Sequence, residues 1–130
     1  MIEILPVVDR EEEKGLLSQV KGAGPAARVL AMRERGTVLG WVALELEGDC
    51  LRILRLYAEG YDVSRQPKGE EVFILDSLMR AAASYGETFG ANEIETAFPD
   101  FFGFFHARGF DQDENHAFTP MGTIVKYDYS

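Results

Sequence analysis

Several residues are of types that could do chemistry. Cys50 opens an apolar stretch and would be a nucleophile if a base lay beside it. The two histidines, His106 and His116, form no recognisable Cys-His arrangement with it, so a buried, inert thiol is the expected state. His106, His116, Asp111, Asp113 and Glu114 are metal-ligand types, but their spacing matches no compact ligand set. Asp113-Glu114-Asn115 reads instead as a turn, and no metal is expected. Arg52 and Arg55 could share one face of a strand and receive an anionic ligand; the competing reading pairs them with Glu45 or Glu47 on a neighbouring strand. Arg65, Gln66 and Lys68 lie in a Gly/Pro loop, where they could touch phosphates or be merely solvated. Phe98, Phe101, Phe102, Phe104, Phe105 and Phe110 could line an apolar pocket, or form core with a ring or two left for a partner surface.

The chain that must position these residues has 130 of them, 46% apolar, which fits one globular domain. Thirteen Lys and Arg against 22 Asp and Glu leave a net charge of -9, a poor match to nucleic acid or an anionic membrane. One cysteine excludes an intrachain disulfide and suits a reducing compartment. The first residues carry an acidic run where a signal peptide has a basic start and an apolar stretch, and no run is long enough to span a membrane. A soluble, cytoplasmic domain is expected.

Met1 to Leu5 is a short apolar run closed by Pro6. Asp9 can cap a helix over 9–20 whose first turn is acidic, as the helix dipole favours. Gly22, Gly24 and Pro25 make the next stretch a loop. An antiparallel meander follows, with strands at Val29–Arg35, Thr37–Glu47 and Cys50–Tyr57; the alternation of Val38, Gly40, Val42, Leu44 and Leu46 with their neighbours is that of a half-buried strand. In the third strand Leu51 and Ile53 have one parity and Leu54 and Leu56 the other, so either both faces are buried or a β-bulge near Ile53-Leu54 resets the phase. Glu59 to Lys68 reads as a loop. After Gly69, Val72, Leu75, Met79 and Ala82 recur at helical spacing, with fraying at Gly86 and a stop at Gly90. Asn92 to Phe98 is the next strand, Pro99 ends it, and Asp100 can cap the short aromatic helix FFGFFHARG, stopped by Gly109. Phe110–Gln112 and His116–Tyr129 read as a closing hairpin, interrupted at Pro120-Met121-Gly122.

This α+β order, with one long crossover helix in a mostly antiparallel mixed sheet, resembles the GNAT superfamily of N-acetyltransferases. Three segments carry the resemblance: Leu78 to Tyr85 running through Gly90-Ala91 into the next strand; Phe105-His106-Ala107-Arg108-Gly109-Phe110, similar to the family's Tyr-Glu-Lys-Leu-Gly-Phe; and Ile124-Val125-Lys126-Tyr127, similar to its closing strand. The family's phosphate loop, Arg/Gln-x-x-Gly-x-Gly/Ala, has its nearest counterpart here in Gln66-Pro67-Lys68-Gly69-Glu70-Glu71, where the last small position is Glu71. An ungapped register counted back from Gly90 puts the two glycine positions on Phe73 and Leu75 instead. The position at which many family members carry an acid-catalytic Tyr aligns with Phe105, which has no proton to give; Tyr57, Tyr61 and Tyr85 lie elsewhere.

The resemblance implies transfer of an acetyl or acyl group from acetyl-CoA, or another acyl-CoA, to a small-molecule amine. It assigns the backbone of Leu56 and Tyr57 to the acyl group and pantetheine, the loop Arg65, Gln66, Lys68 and Gly69 to the phosphates, and Glu59, whose competing reading is a solvated loop acid, to the role of base. The altered loop and Phe105 support a rival: a non-catalytic module of the same fold that binds a small ligand or partner chain, with a homodimer as one form. A third reading makes the chain one half of a tandem arrangement.

Overall fold

Asp9 accepts hydrogen bonds from the amides of Glu11 and Glu12 (2.9 and 3.2 Å), and so starts the first helix where its own orphan N–H groups need acceptors. The computed structural model describes residues 2–61, 67–98 and 101–125. Along them run β1 (Ile2–Pro6), α1 (Arg10–Leu17), β2 (Arg28–Glu34), β3 (Thr37–Glu47), β4 (Cys50–Ala58), α2 (Glu70–Thr88), β5 (Glu93–Thr96), α3 (Phe102–His106), β6 (Asp111–Gln112), β7 (Ala117–Pro120) and a 3-10 turn at Met121–Thr123. The strands form one sheet in the order β1-β2-β3-β4-β5-β7-β6, antiparallel throughout except where β4 meets β5. Among the described residues no helix is long and apolar enough to cross a membrane.

Two cores sandwich the sheet. Val42, Leu44, Leu51, Ile53 and Leu56 face α2, which contributes Leu75, Leu78, Met79 and Ala82; Phe101, Phe105 and Phe110 close the same side. Trp41 and Ala43 face the other way, with Val7, Val20 and Val29, under Leu16 and Leu17 of α1. The centre of β3 is therefore buried on both faces and not on one, because each face has its own helix. Of the six phenylalanines in this aromatic group, Phe101, Phe105 and Phe110 are buried core and Phe98, Phe102 and Phe104 pack half-buried against it.

The ends of elements depart from expectation for local reasons. Helix α1 stops at Leu17 because Gln19 and Val20 donate three residues back, to Leu16 and Leu17, tightening the chain out of the α-helix. Gly86 does not fray α2, which continues to Thr88: a Cβ there would lie 3.0 Å from the Leu51 side chain, so this glycine lets the helix lie close on β4. The helix ends before Gly90, whose φ of 89° suits glycine. Strand β5 is shorter than the expected 92–98, since its pairing stops at Thr96. The closing strand is Ala117–Pro120; Ile124 and Val125 follow the 3-10 turn and lie in no strand. Pro120 is the last residue of the ladder, and the amide of Met121 is taken by the Asn92 carbonyl at 2.8 Å. Pro99, Asp100 and the stretch 126–130 lie outside the described residues.

Candidate functional site

Of the two readings of β4, the bulge near Ile53-Leu54 is the one the structure shows. Ala43 pairs with Arg55 and Leu44 with Ile53, leaving Leu54 as the extra residue on β4. This resets the phase: Leu51 and Ile53 before it, and Leu56 and Ala58 after it, all face the α2 core. On the other side of β4 the parallel pairing with β5 covers only Cys50 to Ile53. Beyond that point the two strands part as a fork. The Thr96 hydroxyl sits at its apex, donating to the Ile53 carbonyl at 2.9 Å and accepting from the Phe98 amide at 3.1 Å. These bonds satisfy groups that the ladder would otherwise have paired.

Backbone alternation decides which groups look into the fork. The Glu59 amide donates to the Leu39 carbonyl at 2.8 Å, so in this antiparallel pair Tyr57 and Arg55 also direct their backbone groups to β3. Leu56 and Ala58 then direct theirs to the opposite side, where β5 has departed. Of the two residues expected to offer backbone to an acyl group, Leu56 is so oriented and Tyr57 is not, because adjacent residues of a strand point their N–H groups opposite ways.

Tyr57 instead contributes its side chain. Its hydroxyl donates to Glu59 Oε2 at 3.0 Å and its ring stacks on Trp41 at 5.5 Å. The hydrogen bond to Glu59, assisted by burial and the nearby negative charge, raises the phenol above its ordinary 10. On the same face Arg52 reaches Glu47 at 3.0 Å, the cross-strand pairing expected of it, and also Glu95 of β5 at 3.3 Å, which was not expected. Arg55 makes no such pair among the described residues. Its Nη1 donates to the Gln19 carbonyl at 2.9 Å, and its guanidinium lies 5.8 Å from the Trp41 ring centre. A cleft of about 560 Å³ opens here, lined by Gln19, Lys21, Arg52, Leu54, Arg55 and Phe98 among others.

At the start of α2, Gly69 is the N-cap with φ 49°, and Lys68 precedes it, exposed. The helix therefore begins within the Gln66–Glu71 string, and Phe73 and Leu75 belong to its body. Phe73 is exposed, whereas Leu75 is buried in the core, so neither plugs the helix end. The first turn carries Glu70 and Glu71, and Glu71 Oε1 accepts the Lys68 amide at 3.1 Å. A carboxylate of the chain thus already complements part of the positive helix end. Arg65 and Gln66 lie outside the described residues.

The position expected to lack an acid is filled by a fully buried ring: Phe105 packs between Phe104 and Phe110. Cys50 is half-buried, and desolvation, then Glu95 and Glu93, push its thiol up to about 12. Its sulfur and the carboxylates of Glu93 and Glu95 come within 4.8 Å of one another, the one such grouping among the described residues, but the thiol is protonated and Arg52 holds Glu95. His116 lies 3.7 Å from Asp113, whose carboxylate closes the expected turn by accepting from the amides of Asn115 and His116. Reading the sequence did not single out Thr96, Trp41, Gln19 or Lys21. Thr96 carries no motif, and the α1–β2 loop reaches β4 only through the tertiary fold.

Solved structures share this architecture. The ribosomal-protein-S18-alanine N-acetyltransferase from Escherichia coli matches over 100% of both chains, with a TM-score of 0.66 and 8% identity. An acetyltransferase of the GNAT family from Staphylococcus aureus matches over 93% of this chain and 99% of its own, with a TM-score of 0.64 and 11% identity. N-acetylglutamate synthase from Neisseria gonorrhoeae, solved with coenzyme A and N-acetyl-glutamate, matches over 93% of this chain and 35% of its own, at 0.65 and 13%. No protein-family model matches the sequence, and neither does any curated protein. The chain has the fold of the GNAT N-acetyltransferases.

Proposed function

We propose that the protein is an acyl-CoA-dependent N-acyltransferase that moves an acetyl or longer acyl group onto a small-molecule amine. The fork between β4 and β5 carries this reading, because the Leu56 N–H, which faces the fork and has no β5 partner among the described residues, is the kind of donor that polarises an acyl carbonyl. When bound, an acyl coenzyme A supplies the activated thioester: an amine nitrogen bonds to its carbonyl carbon, the C–S bond breaks, and the thiolate leaves. Leu56 N–H orients and polarises the carbonyl oxygen. Glu59, beyond the end of β4, takes the proton lost by the amine, and the Tyr57 hydroxyl holds that carboxylate in place. Lys68 and Gly69 at the start of α2, with Arg65 and Gln66 before them, receive the phosphates. A cytoplasmic setting, which keeps the lone thiol reduced, belongs to the same proposal.

The first turn of α2 favours a second reading, a non-catalytic module that binds a ligand or pairs as a homodimer, since Glu70 and Glu71 oppose a pyrophosphate where the fold would place it. Thermal unfolding with millimolar acetyl-CoA separates the two. Ligand at 100 times its Kd stabilises by about 2.7 kcal/mol, roughly 3 to 7 °C for a domain of this size. A shift of that order, with N-acetylated product from an amine panel, supports the enzyme. No shift leaves the module, and light scattering then shows whether it is a dimer.

A further inference from the structure

We propose that the cleft beside Arg55 is a receptor for a carboxylate, and hence that the amine acceptor is a small carboxylate-bearing amine; the word acceptor rests on the acyltransfer reading, while the carboxylate receptor stands without it. Three cations line the cleft, Lys21, Arg52 and Arg55, in a chain whose acids exceed its bases by nine (22 against 13). They are not equivalent. Arg52 is neutralised by Glu47 and Glu95. Arg55 has no carboxylate within ion-pair distance among the described residues, and neither has Lys21, which is exposed.

What Arg55 does have defines the ligand. The Gln19 carbonyl takes Nη1 and the Trp41 ring underlies the guanidinium, so the group is anchored on one edge and one face. Its Nε is buried, and among the described residues none accepts from it. The edge left over is therefore the one formed by Nε and Nη2, the side-on fork that matches the two oxygens of a carboxylate. Bulk water does not reach Nε, so a carboxylate meets Nη2 first and draws Nε out by a small turn of the guanidinium. An unpaired donor screened from water is costly, and this movement relieves it. Leu54, Ala97 and Phe98 give the cleft apolar walls for a short aliphatic body. The cleft is lined by Ile53 and Leu54 of β4 and by Ala97 and Phe98 just after β5, the residues at which the two strands part, so an anion held on Arg55 keeps an attached amine beside the fork.

The test uses the whole chain, ¹⁵N-labelled, with N-acetylglycine and its neutral match N-acetylglycinamide as probes. N-acetylglycine is expected to shift the Arg55 Nε–H resonance and the Gly22 and Phe98 amides saturably, and to bind at least tenfold more tightly than the amide. In Arg55→Gln the saturable amide shifts are lost; Arg55→Lys, which keeps the charge without the fork, retains them with weaker affinity, and Lys21→Gln weakens binding a few-fold. Equal binding of the two probes, or none, overturns the receptor in the wild-type protein alone, whatever the variants do. Saturation by inorganic phosphate with no response to N-acetylglycine overturns the carboxylate assignment. A separate arm follows acetyl transfer from acetyl-CoA to glycine and to glycinamide. Preference for glycine supports the proposal and preference for glycinamide overturns it. Saturable N-acetylglycine binding with no transfer to any amine leaves the receptor standing and removes the acyltransfer reading.

Discussion

Tyr57 and Glu59, at the end of β4 and just beyond it, act on each other through one 3.0 Å hydrogen bond. The carboxylate favours the neutral phenol as its donor, which raises Tyr57. In Glu59→Gln the phenol is expected to return toward its ordinary value, measured by ultraviolet titration of the phenolate; an unchanged Tyr57 would show that the bond does not persist in solution. The same variant is expected to lower acetyl transfer by roughly 100-fold if Glu59 is the base, and transfer as fast as wild type would remove that role. Cys50 illustrates the opposite case, a chemically capable group silenced by its surroundings. With the thiol pushed up to about 12, its thiolate is scarce near neutrality. Iodoacetamide at pH 8 should therefore alkylate it roughly 30-fold or more slowly than free cysteine, even after allowing for the greater nucleophilicity of a high-pKa thiolate. Alkylation at the free rate would show Cys50 to be exposed and ionisable.

Helix α2 is held to the segment after α3 by more than its apolar stripe. Asp76 accepts from Arg80 at 2.8 Å on its own helix and from Arg108 at 2.7 Å, just beyond α3; Arg108 also lies 3.5 Å from the Phe104 ring centre. Burial alone would raise the Asp76 carboxyl, but hydrogen bonds from Arg80 and Arg108 outweigh it and hold the group below its ordinary 3.8. A carboxyl lowered on folding stabilises the native state fully above that ordinary value, and the contribution is lost as pH falls through the lower, folded value. Asp76→Asn should thus cost about 1 to 2 kcal/mol at pH 7, where both partners are part-exposed. Its urea stability should also fall less steeply than wild type as pH drops below 3.8. Parallel pH profiles would show that the bridge contributes nothing. The bulge in β4 belongs to this scale too, since one extra residue both restores the core parity and turns Leu56 toward the fork.

For the whole molecule the governing quantity is charge. A chain of net charge -9 with two acids in the first turn of α2 is poorly matched to a coenzyme carrying several phosphates. The double variant Glu70→Gln/Glu71→Gln removes two negative charges from that helix end and leaves the fork untouched. Acetyl-CoA should bind it about three- to tenfold more tightly than wild type, read by calorimetry at low salt, with the gain shrinking at higher ionic strength. Unchanged affinity would mean that the phosphates sit elsewhere, and no binding to either protein would favour the module.

Much of the architecture was legible in the residues. The β2–β4 meander, the long helix after Gly69, the Asp9 cap and the bulge as one of two readings all rest on local periodicity and on side chains that bond to nearby backbone. These are short-range effects, and the sequence by itself determined them. Its charge imbalance, single thiol and string of acids at the start of α2 were equally readable. Only the tertiary structure decided which reading of β4 holds, because that depends on what covers each face. Gly40 shows the same limit: it falls on the regular alternation of β3, yet its purpose appears only where a Cβ would lie 2.5 Å from the Tyr57 carbonyl and 2.8 Å from Ile74. The cleft is the clearest instance. Gln19, Arg55 and Phe98 lie far apart in the chain and meet because β4 leaves β5 after Ile53, and long-range packing, not local spacing, sets where two strands part.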